Sequence, residues 1–92
     1  MSILILAEHN NEEVKSSTLN TISAASTLGK EIEVLVIGNN IENISKEIAN
    51  YQNVTKVLSL DDQNYKNAIA EKIDPVILSI AENYSHIFAP AT

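Results

Sequence analysis

Short aliphatic runs alternate along this chain with segments whose apolar residues recur about one helical turn apart. Ile3-Leu4-Ile5-Leu6-Ala7 is apolar without alternation, the pattern of a parallel strand covered on both faces. A polar stretch follows, and Ser16 or Ser17 can cap a helix carrying Leu19, Ile22, Ala25 and Leu28, with Gly29 ending it. Residues 32–37 (IEVLVI) read as a second strand, closed by Gly38-Asn39-Asn40. Ile41, Ile44 and Ile48 give a short second helix by their i, i+3, i+7 spacing. Residues 54–60 form a third strand that ends at Asp61-Asp62. From Tyr65 to Asn83 the pattern is helical again, with Ile69, Ile73, Ile77, Ile80 and Ala81 on one side. Pro75 lies inside it, and Asp74 could cap a fresh helix, so a break or kink is predicted there. His86-Ile87-Phe88-Ala89 is the fourth strand.

The series βαβαβαβ calls for an α/β fold with a parallel sheet and helical crossovers. Crossovers are right-handed almost without exception. If the first three strands step one way, their two helices share a face. If the fourth then returns beside the first, the third helix lies on the other face, giving the order 3-2-1-4 and a switch point between strands one and four. The order 1-2-3-4 would put every helix on one face. The first strand is apolar on both of its faces, which favours 3-2-1-4. Four strands span roughly 15–20 Å. One helix is about 10 Å across, so the third would cover only half of its face and leave Ile, Leu or Val exposed.

Composition narrows the function. Ninety-two residues suffice for one domain. There are thirteen Ile but only four aromatic residues, so the core is aliphatic. Without cysteine, neither disulfides nor thiolate metal sites are available. The net charge is −6, with six Lys and no Arg; this field repels polyanions and lacks the bidentate fork, which argues against nucleic-acid binding. The N-terminus lacks the basic region of a signal peptide, and no run approaches the ~20 apolar residues of a membrane span, so the protein is not expected to be membrane-embedded.

Five collinear segments carry a resemblance: Ile5-Leu6-Ala7-Glu8-His9, residues 18–25 (TLNTISAA), residues 34–38 (VLVIG), Lys56-Val57-Leu58, and residues 84–92 (YSHIFAPAT). In this order and spacing they resemble the opening of electron transfer flavoprotein α subunits. The resemblance runs over essentially all of residues 1–92, and it implies the N-terminal α/β domain of that family, nucleotide-α-hydrolase-like (Rossmann-like) and incomplete. It further implies a β subunit as partner, commonly holding a structural AMP, and a separate C-terminal domain carrying most of the FAD contacts. Whole heterodimers of the family pass electrons from flavin dehydrogenases to a quinone reductase or similar acceptor. The family continues past Ala91-Thr92 with a segment of the type Phe-Gly-Lys, so the FAD-binding domain is expected to be absent here. No family FAD position maps onto this chain, and none of its residues is expected to hold the flavin alone. The cytoplasm, or the mitochondrial matrix in a eukaryote, is the implied compartment.

No residue is assigned a catalytic, cofactor-binding or metal role. His9 lies just past a strand's carboxyl end, where open α/β sheets place ligands, with Asp61, Asp62 and Thr92 on the same edge. A His and one acid rarely define a site, and strands one and three are ~10 Å apart, so His9 reads as a loop residue ordering its turn. His86 starts its strand at the wrong end of the sheet for chemistry. Gly29 and Gly38 are isolated, form no GxGxxG or P-loop, and read as ends of elements. Glu12-Glu13 reads as solvated loop charge, and Tyr51, Tyr65 and Tyr84 are too scattered to stack a flavin. Two other readings compete with the electron-carrier portion. A stand-alone nucleotide-binding protein of the universal-stress type would need phosphate-binding amides and glycines, of which few are supplied. A hydrolase would need a nucleophile–base–orienter set that cannot be assembled.

Overall fold

The computed structural model describes residues 2–7, 16–62 and 70–88, the last segment with side chains from Pro75 onward. Its elements are β1 (Ser2–Leu6), α1 (Ser16–Ser26), β2 (Ile32–Gly38), α2 (Glu42–Ala49), β3 (Lys56–Asp61), α3 (Ala70–Ile80) and β4 (Tyr84–Phe88). A single 3₁₀ turn, Ala81–Asn83, feeds β4. The strands pair in parallel in the order β3-β2-β1-β4, as the strand pattern predicts.

Each inner strand is apolar on both sides because each side has its own core. Ile3, Ile5, Ala7, Ile32, Val34 and Val36 point to one side, where Ile22 and Ala25 of α1 and Ile44 and Ile48 of α2 bury against them together with Ile41. Leu4, Leu35 and Ile37 point to the other, towards Val76, Ile77 and Ile80 of α3. Helices α1 and α2 thus share one face and α3 lies on the opposite one, the split that right-handed crossovers impose on this strand order. The two sides differ in depth. On the α1/α2 side helix residues are fully buried, whereas the described residues of α3 are partly or fully exposed, with Leu78 at 76%. Leu6, Leu58 and Leu60 on that side are half-buried, so the apolar surface that one helix was expected to leave exposed is partly covered.

Three local expectations need correction. Thr18, rather than Leu19, joins Ile22 and Ala25 against the sheet, while Leu19 and Leu28 are 39% and 45% exposed. At about 100° per residue, Thr18 falls between Ile22 and Ala25 on the helical wheel, and Leu19 and Leu28 fall roughly 90° to either side. Of the break or kink predicted at Pro75, the break is not found: α3 runs continuously through it. Pro75 itself is exposed, so its ring meets no packed neighbour in the core. Ile77 and Ile80 pack as the pattern predicts, joined by Val76; Tyr65, Ile69 and the side chain of Ile73 lie outside the described residues.

The third correction is that β4 starts at Tyr84, two residues early, and a register shift sits at its beginning. Ser2 pairs with Tyr84 but Ile3 pairs with His86, leaving Ser85 as the extra residue. The bulge turns Tyr84 to the α3 side while His86 and Phe88 face the α1/α2 side. From there the Tyr84 hydroxyl reaches over β1 and donates to Glu33 Oε1 of β2 at 2.9 Å. Burial, then the bond to Glu33 and its negative charge, push the Tyr84 phenol up to about 12 from an ordinary value of 10.0.

Helix α1 ends at Ser26, ahead of the predicted Gly29, and tightens into i→i−3 bonds from the Thr27, Leu28 and Gly29 amides to the Ala24, Ala25 and Ser26 carbonyls before the chain turns at Gly29. Gly29 has φ +68°, and a Cβ placed there would meet nothing within 4 Å, so only the left-handed backbone demands glycine.

Gly29→Ala should therefore cost about 1–2 kcal/mol in chemical denaturation, with Gly29→Asn costing less. Ile48→Ala should cost about 2–5 kcal/mol, because Ile48 is sealed between α2 and the sheet. Ile77→Ala, on the shallower side, should cost about 1–2 kcal/mol. Equal losses at the two positions would contradict the asymmetry of the layers. The raised Tyr84 phenol favours the protonated hydroxyl in the folded state. Its contribution is complete below pH 10 and is lost as pH climbs towards about 12. Urea midpoints across that window should fall less steeply in Tyr84→Phe than in the parent chain.

Candidate functional site

Ligands of open parallel sheets bind beyond the carboxyl ends of the strands, and here that edge carries the turn after β2 and the end of β3. Gly38 ends β2, as predicted, and its carbonyl accepts from the Asp62 amide at 3.0 Å. Asn40 then takes φ 58°, a left-handed conformation that Asn tolerates better than most residues. Helix α2 begins directly afterwards with Ile41 in the capping position, a residue with no side-chain oxygen to offer. Its first amides would be orphan donors at the positive end of the helix dipole.

Asp61, at the end of the neighbouring strand, supplies acceptors for the two amides just ahead of the helix. Its Oδ1 accepts from the Asn40 N–H at 2.8 Å and its Oδ2 from the Ile41 N–H at 3.0 Å. Both carboxylate oxygens thus close the β2–α2 turn from twenty residues away in sequence. Two positions earlier on the same side of β3, Ser59 Oγ lies 3.0 Å from Ser45 Oγ of α2, a second tie between strand and helix. Sequence reasoning placed Asp61 on the right edge but missed this role. The legible signal was an Ile where a helix start wants Ser, Thr, Asp or Asn, beside a parallel strand ending in acid.

Chemically, the clamp places an anion where a nucleotide phosphate would otherwise meet helix amides. The β2–α2 turn therefore already holds a carboxylate, which counts against the universal-stress-type reading at this position. His9 and Thr92, which were considered beside Asp61, lie outside the described residues, as do Glu12 and Glu13. His86 is far from the clamp, because β4 and β3 are opposite edges of the sheet, about 14 Å apart. The His86 ring is exposed, stacked at 6.3 Å from the Phe88 ring, and its Nδ1 lies 3.0 Å from Ser85 Oγ. Tyr51 and Tyr84 pack on opposite sides of the sheet and offer no shared platform. The Tyr51 hydroxyl donates to Glu47 at 3.1 Å, and burial, followed by that bond and the Glu47 charge, raises its phenol above the ordinary value. Among the described residues no group of three His, Cys, Asp or Glu side chains could hold a metal ion, and no helix is long and apolar enough to cross a membrane.

Asp61→Ala should lower stability by about 1–2 kcal/mol, as for loss of a helix cap, and speed hydrogen exchange at the Asn40 and Ile41 amides. Asp61→Asn, which keeps one acceptor oxygen, should lose less. Unchanged exchange at both amides in Asp61→Ala would refute the clamp.

Comparison with known proteins extends the reading beyond geometry. The family described as Electron transfer flavoprotein domain matches residues 3–92. The electron transfer flavoprotein subunit alpha of Pseudomonas aeruginosa is 42% identical over 92 residues, covering 100% of this chain and 30% of that protein. A probable mitochondrial electron transfer flavoprotein subunit alpha of Caenorhabditis elegans is 38% identical over 84 residues, 91% of this chain and 25% of that protein. The mitochondrial subunit alpha of Dictyostelium discoideum is 37% identical over 97 residues, 97% of this chain and 27% of that protein. The chain thus spans less than a third of the length of these curated relatives. The match takes in all four strands of the parallel sheet, and on that ground the chain belongs to the electron transfer flavoprotein domain family.

Proposed function

We propose that these residues are the N-terminal portion of an electron transfer flavoprotein α subunit and act as scaffold and β-subunit contact. The observation that carries this reading is the likeness to proteins named as alpha subunits, which runs through the whole chain while accounting for only 30% of the Pseudomonas protein. The complete α/β heterodimer would take electrons from flavin dehydrogenases and deliver them to a downstream acceptor such as a quinone reductase. The chain itself is an electron-carrier portion with no catalytic residues of its own. Its compartment would be the cytoplasm or, by likeness to the Caenorhabditis and Dictyostelium proteins, the mitochondrion.

FAD would supply the redox chemistry of the complete subunit, and the described residues do not fit it. The Asn40 and Ile41 amides just ahead of α2 are bound by Asp61, and the tyrosines Tyr51 and Tyr84 on the two faces of the sheet cannot stack on one ring. These two observations support the reading that the flavin is held by another part of the complete subunit. What these residues contribute is a rigid parallel sheet with a fixed β2–α2 turn.

Coexpressed with an electron transfer flavoprotein β subunit, the chain should co-elute with it in size-exclusion chromatography. Purified alone and incubated with FAD, it should show no visible flavin band after desalting. Failure to associate with the β subunit would remove the contact role. Stoichiometric FAD retained by the chain alone would overturn the placement of the flavin.

A further inference from the structure

We draw no further inference here: the strongest candidate, the half-covered apolar surface on the α3 side of the sheet formed by Leu6, Leu58 and Leu60, carries nothing because nothing in the structure shows what covers it.

Discussion

The structure depends on burying both faces of β1 and β2 at once. Ile3 and Ile5 enter one core while Leu4 enters the other, and Val34 and Val36 alternate with Leu35 and Ile37 in the same way. A parallel strand of this kind has no side for water, so helices must pack on both faces. Four strands in the order β3-β2-β1-β4 satisfy this only by sending α1 and α2 to one side and α3 to the other. Two helices then seal one side with fully buried Ile22, Ile44 and Ile48, while one helix covers the other side incompletely. The uneven depth of the two cores follows from helix count, not from any weakness of apolar character in β3, which presents Leu58 and Leu60 there.

Polar side chains then fix what the apolar layers leave loose. Strand register alone would allow the turn after β2 several conformations. The Asp61 carboxylate selects one by binding the Asn40 and Ile41 amides together, and so ties the entry of α2 to the end of β3. At the opposite end of the sheet, the bulge at Ser85 and the Tyr84–Glu33 bond link β4 to β2 across β1. Both devices bridge strands with side chains long enough to reach a neighbour. The Tyr84–Glu33 bond also meets the demand that half-buried polar groups be partnered.

A family of electron carriers normally invites a search for flavin contacts, yet among the described residues the β2–α2 turn is committed to its own Asp61. A carboxylate in that position stabilises the helix start and at the same time makes it a poor phosphate site. The division of labour proposed for the subunit is consistent with that commitment: one part is built for rigidity and the flavin chemistry is placed elsewhere.

The strands and the second helix were legible because their signals are local and strong. Unbroken aliphatic runs marked β1 and β2, the spacing of Ile41, Ile44 and Ile48 set the buried stripe of α2, and Gly29 announced the end of α1. Double-sided apolarity of the first strand was enough to order the sheet. Other features depended on neighbours distant in sequence. Thr18 is buried over Leu19 because packing of Ile22 and Ala25 fixes the rotation of α1, and polarity alone cannot reveal that phase. Pro75 stays within α3 at an exposed position, and Tyr84 faces Glu33 because an extra residue in β4 reverses the alternation. The Asp61 clamp joins groups twenty residues apart. The sequence by itself determined which segments are helix or strand and which strands lie inside, since periodicity and burial on two faces are local properties. Only the tertiary structure decided helix rotation, strand register and the partner of each carboxylate, because those are set by which surfaces meet.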